Sequence, residues 1–333
     1  MNEELLEQWA KLYHFTREIS ELEPWERLTE EDALVYAQKE KGKELVFSVL
    51  GNACPFCGIA CYPSWAAYSR ARLRLRGKNG RQEPLFMLQD AMIGIWGARK
   101  DVSKDNYEII KALGLRGHGD GSWLHFEKYE EGFYPATLSE VEVEELADAM
   151  GNLYMMMRAI YENRLPDFKP GMMLLRWYDE KTKLYMTHPF PMQKLAIPSY
   201  PVVHIKENDY FQSTAALPTV AYTLSLDWSY LPFTAKDGGR EFFPKLLLGI
   251  NQEEIILCSD LLSPNQSRVN IVFNAIEQLF RSAGKPNAIR VCDRELEAIL
   301  SEFCHKLGIR LNYMKTLPAL NRVRKMFIDH MTR

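Results

Sequence analysis

The chain has 333 residues, of which 47% are hydrophobic and 26% are charged, so it holds enough apolar material for two ordinary globular domains. This composition argues against disorder over most of the length, and no apolar run approaches the roughly 20 residues that span a bilayer. The first residues lack the basic and apolar regions of a secretory signal. We therefore expect a cytoplasmic protein with reduced cysteines and no membrane partner.

The predicted first domain mixes helices and strands. It opens with a helix from about Glu3 to Leu22, in which apolar residues recur at spacings of three and four. Strand-like apolar runs then alternate with predicted helices, and a proline or a serine marks the start of each helix. The predicted strands lie at residues 33–38, 44–50, 59–62, 84–95 and 122–129, and the predicted helices lie at 64–75 and 103–113.

The longest predicted helix closes this domain. Ser139 and Glu142 form a capping box at its start, and the helical period continues to about Asn163. Proline and glycine residues then break the pattern, which predicts a domain boundary. We expect a first domain at 1–165 and a second domain at 166–333.

The second domain begins with a predicted hairpin and an irregular proline-rich passage. Its core then runs in the order β-β-β-α-β-α-β between about 219 and 313, and a last helix follows. This order resembles that of a ribonuclease H-like core. The predicted fold class is therefore α+β, with an N-terminal mixed α+β domain and a C-terminal α/β domain. The predicted core strands lie near 219–228, 243–250, 254–261, 288–292 and 309–313, and the helices near 266–283 and 294–307.

Acidic residues fall where a ribonuclease H-like core would hold a divalent metal. Nucleases and integrases of this type use carboxylates on the first strand, the fourth strand and a neighbouring helix, because two hard cations must be held around the phosphate. Asp227, Asp293 and Glu277 meet these three requirements and would bind Mg²⁺ or Mn²⁺. Each has an ordinary alternative: Asp293 can cap a helix, Glu277 can be solvated, and Asp227 can lie near a strand end. Asn251 fills another position where an acidic residue is expected.

Three cysteines and a turn suggest other chemistry. Cys54-Pro-Phe-Cys57 matches the dithiol pattern of glutaredoxins, but a short strand follows instead of the helix that would activate the first thiol. Cys61 could add a third zinc thiolate, although a structural zinc site needs four ligands. We interpret these cysteines as structural, with redox and metal roles as alternatives. The glycine-rich segment at 117–121 precedes a predicted strand, so we expect a turn and not a phosphate loop.

Two basic segments are candidates for a nucleic-acid partner. The Arg70–Arg76 run carries an arginine at every second position, and residues 264–333 are basic whereas residues 1–60 are acidic. Either segment could bind phosphates. The alternative for both is a solvated surface without a ligand.

Three segments from the two halves of the chain form a recognisable pattern: ELVFSVLGNA…GIACY, KALGLRG…SWLHFEKYEEGFYP and FFPKLLLGINQEEIILCSDLLSP…AGKPNAIRVCDRELEAILSEFCHKLGIRLNYMKTLPAL. Together they resemble a bacterial two-domain family of unknown function. The resemblance covers most of the chain, is strongest at 243–320, and transfers no catalytic residue. The family pattern has an aspartate and a glycine-bearing turn where this chain has Asn251, and it often lacks cysteines at the positions of Cys54 and Cys57.

Three functional hypotheses follow from these patterns. The first is a non-catalytic binding or structural protein whose second domain is a degenerate ribonuclease H-like core. The alternative is a divalent-metal-dependent nuclease or related phosphoryl-transfer enzyme that uses Asp227, Glu277 and Asp293. A third is a thiol oxidoreductase based on Cys54 and Cys57. The first two differ in whether the Asp227 and Asp293 carboxylates converge on a shared ion position.

Overall fold

A computed structural model describes residues 2–39, 41–51, 56–75, 83–165, 167–169 and 171–331. The described residues form two compact units. The first contains the chain up to Ile197 except for residues 83–87 and 132–134, and the second contains those two short segments together with the chain from Pro198 onward. No helix among the described residues combines the length and the apolar character that crossing a membrane requires.

The first unit is a seven-stranded sheet with helices. Its elements are α1 (Glu3–Ser20), β1 (Ala33–Ala37), β2 (Glu44–Leu50), β3 (Cys57–Tyr62), α2 (Trp65–Leu75), β4 (Ala91–Gly97), α3 (Lys104–Ala112), β5 (Trp123–Tyr129), α4 (Glu140–Tyr161), β6 (Met172–Asp179) and β7 (Leu184–Pro191). The strand order is β5-β4-β3-β2-β1-β6-β7. The pairing of β1 with β6 is parallel, and the other neighbours are antiparallel.

The helices α1 and α4 bury one face of this sheet. Apolar side chains of α1 and α4 share a core with inward-facing residues of β1, β2 and β3. Local signals fix where both helices begin. The Asn2 side chain accepts a hydrogen bond from the Leu5 amide at 2.7 Å, and the Glu142 carboxylate accepts one from the Ser139 amide at 2.9 Å.

The hairpin of β6 and β7 belongs to the sheet of the first unit. Proline and glycine at 165–171 interrupt the helical pattern of the sequence, which predicts that these residues belong to the second domain. In the structure Leu34 of β1 pairs with Leu174 of β6, so this interruption is a connection within one sheet. The division at 165/166 stays a prediction about independently folding domains, whereas the first compact unit extends to Ile197.

The second unit has a five-stranded mixed sheet. Its elements are α5 (Asp209–Ala215), β8 (Thr219–Tyr230), β9 (Ala235–Asp237), β10 (Arg240–Phe242), β11 (Lys245–Ile250), β12 (Ile256–Leu262), α6 (Arg268–Ala283), β13 (Lys285–Val291), α7 (Arg294–Lys306), β14 (Arg310–Tyr313) and α8 (Pro318–Met331). The strand order is β12-β11-β8-β13-β14. The strands β12, β11 and β8 are antiparallel neighbours, and β13 and β14 run parallel to β8.

Helices cover both faces of the five-stranded sheet. Leu224, Leu226 and Trp228 of β8 pack with the apolar sides of α6 and α7. On the opposite face, Leu246 and Leu248 of β11 pack with α8. The α+β fold class is therefore confirmed. The small hairpin of β9 and β10, inserted between the first two core strands, was not predicted.

Candidate functional site

Asp227 lies on the face of the five-stranded sheet that α8 covers. Successive residues of a strand point to opposite faces, and its neighbours Leu226 and Trp228 pack toward α6 and α7. In register, Asp227 is opposite Leu248, which packs with α8. Its carboxylate is therefore held beneath the C-terminal helix.

The Asp227 carboxylate forms a buried ion pair with Arg324 of α8. Nη2 of Arg324 donates to Oδ2 of Asp227 at 2.7 Å, and the two side chains are 14% and 2% exposed. The apolar residues Leu320 and Val323 of the same helix pack against the sheet and bring the arginine to this position. A fixed positive charge thus stands beside the carboxylate that the sequence assigns to a metal.

Asp293 caps the helix that follows β13. Its Oδ1 atom accepts hydrogen bonds from the amides of Glu295 at 2.8 Å and Leu296 at 3.1 Å. These amides belong to the first turn of α7, where they have no partner within the helix. The capping role that the sequence offers for Asp293 is therefore observed.

Glu277 and Asp227 lie on opposite sides of the sheet. Glu277 is on α6, and its carboxylate pairs with Arg281 one helical turn later, at 2.7 Å. Because α6 packs on the face opposite to α8, the sheet separates these two carboxylates. In the part of the chain that the structure describes, no group of three histidine, cysteine, aspartate or glutamate side chains has the arrangement of a metal site. The metal site made of Asp227, Glu277 and Asp293 stays a prediction.

Asn251 closes the turn between β11 and β12. Its backbone amide donates to the carbonyl of Ile255 at 3.1 Å, and its Oδ1 atom accepts from the amide of Ile255 at 2.9 Å. Glu254 has a φ of 61°, which this tight turn requires. An asparagine suits such a position because its side chain mimics a backbone carbonyl.

The pKa of both described thiols of β3 is raised above its ordinary value. Burial and, secondarily, Glu26 raise the pKa of the Cys57 thiol, and burial raises that of the fully enclosed Cys61 more strongly. Cys54 lies outside the described residues. The strand predicted after the dithiol pattern is present, and no helix begins there to favour a thiolate at Cys57.

Two arginines of the Arg70–Arg76 run are engaged in ion pairs within the first unit. Arg70 pairs with Asp90 at 2.5 Å, and Arg72, whose side chain is only 6% exposed, pairs with Glu31 at 2.6 Å. Arg76 lies outside the described residues.

The segment at 117–121 contains glycines in the left-handed region and leads directly into β5, in agreement with the turn that the sequence predicts there.

Two family models match the chain. A domain of unknown function, DUF7309, matches residues 9–176, and another, DUF6930, matches residues 212–328. The first match ends within β6, and the second begins within α5. No curated protein matches the sequence.

Solved structures of viral integration proteins are similar to part of the chain. The catalytic core domain of HTLV-2 integrase in complex with magnesium has 14% identity and a TM-score of 0.24, over 32% of this chain and 66% of that one. A simian T-cell lymphotropic virus intasome in complex with the PP2A regulatory subunit B56 gamma has 14% identity and a TM-score of 0.25. That match covers 39% of this chain and 41% of the other. The chain thus spans less than two thirds of either neighbour.

Proposed function

The chain belongs to the DUF7309 family of unknown function, and from its geometry we propose that it is a non-catalytic binding protein. In this proposal the second unit is a ribonuclease H-like scaffold in which an arginine replaces the metal ion. The observation that carries the proposal is the buried ion pair between Asp227 and Arg324. The guanidinium supplies, permanently and from within the chain, the positive charge that a cation would supply.

Metal-dependent phosphoryl transfer needs several oxygen ligands that converge on the same ions. Here Asp227 is engaged by Arg324, and Glu277 lies on the other side of the sheet. Asp293 directs Oδ1 to the amides of α7. Each of the three carboxylates therefore has a structural role that does not depend on a metal. This supports the non-catalytic hypothesis over the nuclease hypothesis.

A cleavage assay with Mg²⁺ or Mn²⁺ tests the proposal. Labelled single- and double-stranded DNA and RNA would be incubated with the wild type, Asp293→Asn and the control Asp237→Asn, which alters an exposed residue of β9. Asparagine is as good a helix cap as aspartate, so Asp293→Asn should remain folded. We expect no metal-dependent cleavage by any of the three proteins. Cleavage by the wild type and the control, but not by Asp293→Asn, would establish the nuclease hypothesis instead.

We further propose that the binding partner is a nucleic acid, which the basic C-terminal segment contacts. The Arg70–Arg76 run supports this less well, because Arg70 and Arg72 neutralise carboxylates of their own unit. A phosphate backbone gains most from cations that have no such partner.

A further inference from the structure

The second unit contains a cavity beside the irregular segment that precedes α5. The cavity has a volume of about 250 Å³ and lies between residues 203–208, α5, α6 and α7, all within this unit. Phe211 of α5 and Phe303 of α7 are buried, whereas Val269 and Phe273 of α6 are half-buried. The apolar part of the lining consists of Val203, Ile205, Phe211, Val269, Phe273 and Phe303.

Hydrogen bonds to α7 hold the irregular segment in place beside the cavity. The amide of Ile205 donates to Oε1 of Glu302 at 3.1 Å, and Nζ of Lys306 donates to the carbonyl oxygen of Ile205 at 2.8 Å. The amide of Val203 donates to the carbonyl oxygen of Ala298 at 3.4 Å. Because three backbone groups of the segment are bonded to the helix, the wall that it forms is fixed. The cavity is therefore preformed, as ligand sites usually are.

The size and the lining of the cavity favour a small aromatic ligand. An engineered apolar cavity of about 150 Å³ holds benzene, so a volume of about 250 Å³ suits a ligand of roughly ten non-hydrogen atoms. The rings of Phe211 and Phe273 each contact that of Phe303, at centroid distances of 6.3 and 5.1 Å and interplanar angles of 78° and 55°. Rings at such angles present both faces and edges, which an aromatic ligand contacts more favourably than a saturated ring does.

The charges at the mouth of the cavity favour a ligand with a negative group. Lys206 lines the cavity and is exposed, and its side chain has no ion pair or hydrogen bond with any residue that the structure describes. Glu207 and Glu302 both pair with Lys306, and Glu302 also pairs with His204. Among the described charged groups here, Lys206 is therefore the one whose charge a ligand carboxylate can neutralise.

We propose that this cavity binds an aromatic monocarboxylate of about ten non-hydrogen atoms, the size of phenylacetate. The ring of the ligand packs against Ile205, Phe211 and Phe273, and its carboxylate accepts a hydrogen bond from Nζ of Lys206. Such a ligand is additional to the nucleic acid proposed above, and its binding does not depend on that partner.

Ligand-observed NMR titrations of the full chain test the class of ligand. Phenylacetate would be compared with 2-phenylacetamide, which lacks the charge, and with cyclohexylacetate, which keeps the charge but lacks the aromatic ring. We expect phenylacetate to bind with a Kd of about 1 mM or lower, and each analogue to bind at least about 3-fold more weakly.

Each comparison has an outcome that contradicts the proposal. Equal affinity for 2-phenylacetamide would exclude the carboxylate as the recognised group, and equal affinity for cyclohexylacetate would exclude the aromatic ring. If phenylacetate shows no saturable binding up to about 10 mM, the cavity is not a site for this class of ligand.

Two variants test the place of binding. Lys206→Gln should weaken binding of phenylacetate about 5-fold or more and leave that of 2-phenylacetamide unchanged, whereas Lys325→Gln, which removes an exposed charge of α8, should alter neither. Val269→Phe adds a ring to the lining and should abolish binding, and the same substitution at the exposed Val141 of α4 should not. A Kd that either Lys206→Gln or Val269→Phe leaves unchanged would place the ligand elsewhere and overturn the proposal. Thermal unfolding checks that each variant is folded, and Lys206→Gln, which alters an exposed side chain, decides the matter if Val269→Phe is not.

Discussion

Replacing Arg324 by methionine isolates the contribution of the buried ion pair. Methionine matches the apolar stem of arginine but ends before the guanidinium group, so the substitution removes the charge and keeps most of the packing of the stem. Asp227, only 2% exposed at its side chain, then keeps its position beneath α8 without its guanidinium partner. The stability of the second unit should fall steeply.

The expected size of this loss follows from the burial of the pair. Removing one partner of a buried ion pair costs about 3–5 kcal/mol, because the other charge remains desolvated. The Arg324 side chain is 14% exposed, which admits some water, so we expect the lower end, about 3 kcal/mol. The double variant Asp227→Leu/Arg324→Met should recover most of the loss, since apolar replacement of a whole buried pair is often neutral.

Hydrogen exchange measures the effect separately in each unit. A loss of about 3 kcal/mol accelerates exchange through global opening roughly 100-fold, and this should appear in peptides from β8, β11 and α8. Peptides from β2 and β3 of the first unit serve as an internal control. The matched variant Arg322→Met removes an arginine of the same helix whose pair with Glu254 is exposed, so it should cost less than about 1 kcal/mol.

The exchange rates of these two variants show whether the buried ion pair stabilises α8 on the sheet. If Arg324→Met accelerates exchange no more than Arg322→Met does, the ion pair with Asp227 is solvated and does not stabilise α8 on the sheet. If the double variant is less stable than Arg324→Met alone, an uncompensated carboxylate is not the cause of the loss.

Three further results are expected. Because its pKa is raised, Cys57 should be alkylated at pH 7.5 more slowly than a cysteine of the denatured chain, which peptide mapping would show; faster alkylation would indicate an activated thiol. Hydrogen bonds from His204, the amide of residue 205 and Lys306 hold the pKa of Glu302 below its usual value, so Glu302→Gln should increase exchange at 203–206 at neutral pH. That difference should vanish as the pH falls through the lowered pKa, and a difference that persists in acid would exclude the carboxylate as its cause. A methyl group at Gly249 would lie 2.5 Å from Sγ of Cys258, so Gly249→Ala should lower the free energy of unfolding by about 1–3 kcal/mol. Adding Cys258→Ala to this variant should restore most of the lost stability. Thermal unfolding measures both effects, and an unchanged Tm for Gly249→Ala would contradict the contact.

The sequence predicts those features that depend on neighbouring residues. The caps at Ser139 and Asp293 involve amides two or three residues away, so residue type and spacing suffice to identify them. The hairpin of β9 and β10 also has a local signal in the sequence. Gly238 and Gly239 separate two short extended runs, and two glycines at that spacing favour a tight hairpin.

Features that depend on distant residues could not be predicted in this way. The partner of Asp227 is 97 residues further along the chain, on a helix whose arginines look alike in sequence. Only the position of α8 on the sheet selects Arg324 for the pair and leaves Arg322 in solvent. The sheet to which the β6–β7 hairpin belongs could not be predicted for the same reason, since an amphipathic strand does not specify which distant strand it pairs with.

The parallel pairing of β1 with β6 also determines when the first unit can finish folding during translation. Leu34 is synthesised long before its partner Leu174, so β1 leaves the ribosome with one of its edges unpaired. An apolar strand with an open edge is a template for pairing between chains. A nascent chain, or a fragment that ends before Met172, should therefore aggregate or recruit a chaperone. Release from that state comes only when the β6–β7 hairpin emerges and closes the edge of β1.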